Sequence, residues 1–264
     1  MKKIFFSTAF FLLTIIAFSQ TEITEIAFPG FGSILYQKTD TIIPKGVDIE
    51  KTGEQIWNFK KIKGLSSRTL YVLRPEQTFF HDKYARANYA TRIDNDKNET
   101  QIHYSFISND SCFFIGNSNT DPILHFSLTR PHVLYFKKHN YSQPDTSITD
   151  ELRTISAEGL YLINKLHVTI YNSIDAWGTL KLPKTTAQSI RFKEEYFVID
   201  SSFQWTNEGL SYISDTTYSF KRYIWYEPTV EHGYVNLMTI EIHNKNIRIT
   251  YLFKHKLNGI FKPE

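Results

Sequence analysis

Two carboxylates and an imidazole fall within one short stretch, Tyr226-Glu-Pro-Thr-Val-Glu-His-Gly233. Grouped as they are, Glu227, Glu231 and His232 can engage a polar partner. Pro228 and Gly233 mark the stretch as a loop between two strong strand patterns. Loops positioned by a rigid scaffold carry binding residues disproportionately. These three residues are therefore the candidate binding loop, and a solvated acidic turn is the plainer reading of the same residues.

Other chemistry is thinly signalled. His125 and His132 flank a turn at Arg130-Pro131, where a metal could be held, although two surface histidines beside a hairpin is the commoner arrangement. The sequence has no His-Glu-x-x-His and no Cys/His cluster with zinc spacing, so neither a metal nor a cofactor is expected. It has no Gly-x-Ser-x-Gly nucleophile elbow and no phosphate-cradling glycine loop. Glycoside hydrolysis needs two carboxylates roughly 5 to 10 Å apart. With 27 acidic residues, spacing alone nominates no pair. Whether the protein is an enzyme is left open, and no catalytic residue is named.

The elements that must position any site are strands. In 163–171, Leu166, Val168 and Ile170 alternate with Lys165, His167 and Thr169. In 101–107, Ile102, Tyr104 and Phe106 oppose Gln101, His103 and Ser105. In 246–253, Ile247, Ile249, Tyr251 and Phe253 share a face. The stretches 68–73, 111–116, 122–128, 131–136, 174–182, 188–199, 217–226 and 234–243 carry the same signal, and helical periodicity is weak. One wet and one dry face per strand is the pattern of antiparallel sheets. The expected fold is all-β: an antiparallel sandwich, half-barrel or clam of roughly ten or more strands.

Asp94–Asn98 and Asn117–Pro122 read as loops. Residues 200–216 read as a long excursion between strands. The polar stretch His139–Asp150 reads as an exposed loop or a join between two sheet-forming halves meeting near 140–150. Residues 20–264 are expected to form a single β-rich domain. Its 4 Trp, 16 Tyr and 21 Phe are read first as strand formers and core filling, and second as a platform for sugar rings.

Residues 1–19 have the pattern of a cleaved signal peptide. Lys2 and Lys3 precede an apolar run from Ile4 to Phe18, broken only by Ser7 and Thr14. Ala17-Phe18-Ser19 then supplies the small residues a signal peptidase reads, placing cleavage between Ser19 and Gln20. The apolar run is shorter than the ~20 residues a membrane-spanning helix needs. Cys112 is the one cysteine, so neither a lipid anchor at Gln20 nor an internal disulfide is open to this chain; the Ser-Cys-Phe-Phe-Ile setting is that of a buried, inert thiol.

The net charge is +3, and Lys2 and Lys3 supply two of those charges. No Lys/Arg-dense patch is present, so nucleic acid is not an expected partner. An aromatic-rich alternating barrel could also sit in an outer membrane. Against that, the sequence closes on Phe261-Lys-Pro-Glu264 and several strands would turn Lys, Arg or Glu to lipid. The expectation is an exported, periplasmic or extracellular protein that does not span a membrane. The partner classes left open are an envelope protein, a glycan or a lipid.

Four short elements occur in order: Gly53-Glu-Gln-Ile-Trp57-Asn58-Phe59; Pro75-x-x-Thr78-x-Phe80 followed by Ala87-Asn88; Ala176-Trp177-Gly178-Thr179-Leu180-Lys181-Leu182-Pro183 followed by Ile190-Arg191-Phe192-Lys193; and Tyr223-Ile224-Trp225-Tyr226. Together they resemble the β-rich N-terminal module of secreted Bacteroidetes proteins that usually carry a type IX secretion sorting domain. The resemblance implies an envelope setting and a β-rich fold, and no activity. It also implies a sorting domain downstream. The sequence ends at Glu264 without one, so periplasmic residence or another export route is expected instead. Three function classes follow. The first is a non-enzymatic binding or structural module of the envelope. The second is a carbohydrate-active or other hydrolase on a β-sandwich, and the third is a lipid-carrying half-barrel.

Overall fold

Leu166, Val168 and Ile170 are buried while Lys165, His167 and Tyr171 are exposed, so the period-two pattern is realised as a strand with two different faces. A computed structural model describes residues 28–97, 99–108, 111–119, 126–136, 144–157, 160–229 and 233–261. Among them the chain is all-β. Its strands are β1 (Phe28–Pro29), β2 (Ile34–Asp40), β3 (Gly53–Asn58), β4 (Ser66–Leu73), β5 (Tyr89–Asn95), β6 (Thr100–Ile107), β7 (Ser111–Asn119) and β8 (Phe126–Phe136). They continue with β9 (Asp145–Ala157), β10 (Leu160–Lys181), β11 (Thr186–Thr206), β12 (Gly209–Thr229), β13 (Gly233–His243), β14 (Asn246–Lys256) and β15 (Ile260–Phe261). Two single 3₁₀ turns, Pro75–Gln77 and His81–Tyr84, separate β4 from β5.

The main sheet runs β11-β12-β13-β14-β2-β4-β5-β6-β7-β8-β9-β10, each neighbour antiparallel, and β10 also pairs with β11, so the series of pairings comes back to where it began. The sheet is thus wrapped in the manner of a half-barrel, and at the β8–β9 join the register pairs on described residues connect 126–128 with 151–153. The antiparallel expectation has one departure: β3 lies parallel to the end of β10, Gly53–Asn58 against Ala176–Lys181. Strands drawn from both sides of residues 140–150 belong to this one hydrogen-bonded sheet. β9 begins at Asp145, inside the stretch expected to be a loop.

Residues 200–216 are not an excursion. They are the far end of a hairpin in which β11 and β12, 21 residues each, stay paired out to Thr206↔Gly209. β13 accompanies β12 only from Lys221 onward, so among the described residues the segment 209–220 is hydrogen-bonded in the sheet to β11 alone. Its residues 211–217 are exposed on both faces. Without burial to enforce it, the apolar alternation that marks other strands is faint here.

Both faces of the wrapped sheet are covered in places. On the outside of β10–β14, residues 41–64 form a strap that seals the largest apolar cluster: Trp57, Phe59 and Ile62 pack on Leu180, Trp225, Met238 and Tyr251. Asp40 holds both ends of the strap. Its Oδ1 accepts the Thr41 and Ile42 N–H groups at 2.7 and 3.2 Å, and its Oδ2 accepts those of Lys63 and Gly64 at 2.9 and 3.1 Å. Burial alone would raise this carboxyl, yet the four N–H donors hold it below the usual aspartate value.

A second cover, the two 3₁₀ turns, places Tyr84 flat on Tyr104 of β6 with ring centroids 4.0 Å apart. Cys112 is buried, as its setting suggested, beside Phe28 and Tyr89. The two-stranded β1–β15 ladder sits at that end, where Phe28 packs against Tyr89 at 5.5 Å.

Candidate functional site

The inner face of the wrap carries a half-open cavity of about 470 Å³. Its walls come from β2 and β4–β7 on one side and from β12–β14 on the other. One end is apolar: Phe28, Pro29, Val72, Tyr89 and Cys112 form a floor. Along β4 the lining residues are Val72, Leu70 and Arg68, alternate positions on one strand. A rise of ~3.3 Å per residue puts Arg68 about 13 Å above the floor. The other end is polar, with Gln37, Arg68, His103, Arg222, Glu241 and Arg248. Thr91, Gln101, Ser105, Asn236, Thr239 and Thr250 also line it, so the cavity is of mixed polarity, with charges at one end and an aromatic cluster at the other.

Register assembles the polar end. Glu194 of β11 lies opposite Arg222 of β12, Arg222 opposite Glu241 of β13, and Glu241 opposite Arg248 of β14. Four strands thus contribute one row of alternating charge, each pair a favourable cross-strand contact. Glu194 is buried and accepts from the Arg222 Nε and, at 2.9 Å, from the Tyr196 hydroxyl. The Tyr196 ring stacks on Phe220 at 4.2 Å, and Arg222 lies over the Tyr196 face at 5.1 Å. The row is held rigidly from below.

Arg68 stands on the opposite wall and belongs to no such row. Its Nε donates to Gln37 Oε1 at 2.8 Å, and its two terminal nitrogens have no acceptor among the described residues. Burial, then the neighbouring Arg248, pull its guanidinium down to about 10, with Glu241 opposing. His103 lies two strands further on, in β6, paired with Thr91 and Asn117 and edge-on to the Phe114 ring at 5.4 Å. Burial, then Arg68, keep its imidazole down at about 4, so it is neutral at physiological pH.

The residues nominated from the sequence fare differently. Glu227 is not in a loop: β12 runs on through Pro228 to Thr229, and Glu227 pairs with Val235. Its carboxyl is half-buried and raised by burial, with His255 pulling the other way. Glu231 and His232 lie outside the described residues, as do Ser19, Gln20, the whole 1–19 segment and His125. His132 falls in β8, where side chains are not described. No meeting of Glu227 with its two partners is therefore on view.

The cavity residues were missed because they are far apart in sequence and share no motif. Their one legible signal is parity: Arg68 shares a strand face with Leu70 and Val72, a charge where an apolar residue would continue the pattern.

Three of the four elements quoted from the sequence gather in space around Arg191, and the second, Pro75–Phe80 with Ala87, lies apart against Tyr104; all of them make packing contacts. Arg191 is fully buried and lies 5.2 to 5.8 Å from the ring centroids of Trp57, Tyr223 and Trp225. It also donates to the Ile49 carbonyl at 2.7 Å and the Lys51 carbonyl at 3.1 Å, tying the strap to the sheet. Gly178, at φ +136°, faces the β3 backbone, where an added Cβ would lie 2.1 Å from the Gln55 oxygen. Thr78 donates to the Pro75 carbonyl at 2.6 Å and receives the Tyr104 hydroxyl at 2.9 Å. Comparison of the chain with protein-family models, with curated proteins and with solved structures finds no match.

Proposed function

We propose that this chain is an exported, non-enzymatic binding protein that holds a small amphipathic molecule inside its wrapped sheet. The observation that carries the reading is the cavity itself: about 470 Å³, apolar at one end, and polar with fixed charges at the other. That volume suits a ligand of drug or short-lipid size. The carboxylates at the polar end are committed to neighbouring arginines by register, which favours holding a ligand over transferring protons to one. Export rests on the basic, apolar and small-residue pattern of residues 1–19, and the bacterial envelope setting rests on the resemblance of the four elements.

The test is a fluorescence titration with 1-anilinonaphthalene-8-sulfonate, followed by displacement with anionic, neutral and cationic amphiphiles of eight to fourteen carbons. Saturable one-to-one binding that at least one amphiphile reverses is expected. Failure of the whole panel to bind would end the reading. Mass spectrometry of the mature N-terminus in the envelope fraction tests export, and an intact Met1 or Lys2 there would overturn it.

A further inference from the structure

We infer that the cavity selects an amphiphile with a single negative charge on its head group, and that Arg68 is the residue that receives it. The inference rests on the binding role proposed above and names its ligand class. Three guanidiniums, Arg68, Arg222 and Arg248, face two carboxylates, Glu194 and Glu241. The carboxylates alternate with Arg222 and Arg248 in one row, so that row is neutral within itself. Arg68 is the charge left over.

Its environment makes this charge consequential. Arg68 is held in place by the Gln37 side chain through Nε alone, leaving the outer fork of the guanidinium free of protein acceptors among the described residues. That fork is the part of arginine that matches a carboxylate with two parallel hydrogen bonds. The nearest titratable group on the same wall, His103, adds no charge to answer it. A partly buried cation without a counter-charge is costly, and a ligand anion would relieve it. Below Arg68 the wall continues through Leu70 and Val72 to the aromatic floor, where the Tyr89 hydroxyl is taken by the Pro29 carbonyl at 2.9 Å, Ser105 is the register partner of Tyr89, and no lining side chain carries a charge. The geometry therefore fits one anionic group above and an alkyl or ring system beneath it.

Isothermal titration calorimetry with dodecanoate, 1-dodecanol, dodecyltrimethylammonium and acetate, each below its aggregation limit, tests the assignment. Dodecanoate is expected to bind at least tenfold more tightly than dodecanol, and acetate, the head without the tail, to give no measurable heat. In Arg68→Met, dodecanoate should fall to the affinity of dodecanol while dodecanol itself is unchanged.

Several outcomes overturn the inference yet leave the binding role standing. Equal affinity for dodecanol and dodecanoate is one, and tightest binding of the cation is another. So is a preference that survives Arg68→Met. Acetate binding as tightly as dodecanoate would remove the floor from the argument. If none of the twelve-carbon ligands binds, the inference and the proposed function fall together. The comparison among ligands uses the native protein, so it decides the charge preference even if Arg68→Met does not fold.

Discussion

Arg191 and Asp175 form a two-point ion pair inside the protein, Nε to Oδ1 at 2.8 Å and Nη2 to Oδ2 at 2.7 Å, with the arginine side chain fully buried. The same guanidinium is sandwiched among three aromatic rings and holds two strap carbonyls. Removing one partner of a buried pair leaves the other uncompensated, which typically costs about 3 to 5 kcal/mol. Arg191→Met is therefore expected to lower stability by roughly 3 kcal/mol in urea unfolding, and adding Asp175→Asn should recover part of that loss. A shift below about 0.5 kcal/mol, the range of ordinary surface changes, would show that the pair does not hold the strap.

Gly178 offers a second test of the strap. Any side chain there must displace the β3 backbone, because the Gln55 oxygen already occupies the Cβ position and φ is +136°. Gly178→Ala should destabilise by roughly 2 kcal/mol. Amides of Gly53–Asn58 should lose hydrogen-exchange protection before those of β12. Unchanged protection in that segment would count against the close contact.

His103 predicts a pH dependence. Its folded-state value is about 4 and an unfolded histidine titrates near 6.5, so between these values the unfolded chain binds more protons. Stability should be indifferent to His103 above pH 6.5 and should fall as pH drops from about 6.5 toward 4. His103→Gln removes the titrating group and should flatten that part of the curve. The check is thermal unfolding of both proteins across pH 4 to 8. Parallel curves would mean the imidazole is not held neutral.

The hairpin end makes an opposite prediction. Trp205 is 59 % exposed, whereas Trp57 and Trp225 are buried at 1 % and 0 %. Trp205→Phe should leave stability within about 0.5 kcal/mol of the native protein. It should also remove most of the fluorescence that acrylamide quenches readily. Large destabilisation would place the ring in a packed setting instead.

Alternation along the chain located most of the longer strands and sorted each into two faces, because in a strand successive side chains must point to opposite sides; it did not mark β2, β3, β5 or β9, and it read 200–216 as an excursion. It assigned Leu166, Val168 and Ile170 to one face and Lys165 and His167 to the other, and the structure buries and exposes them accordingly. What it could not decide was which face turns inward. Tyr104 and His103 are adjacent in one strand, yet Tyr104 packs outside under the 3₁₀ turns and His103 lines the cavity.

Parity separates two faces without naming them, and here both are partly covered. Nor could any local pattern bring Arg68 within reach of Arg222, Glu241 and Arg248. That meeting depends on strand order and register across the wrap, fixed by backbone hydrogen bonds between segments more than 150 residues apart. The sequence alone thus determined an all-β chain with a leader-like start. The wrapping of the sheet that brings β10 back to β11, and the one unmatched arginine on its inner face, were decided only by the tertiary structure.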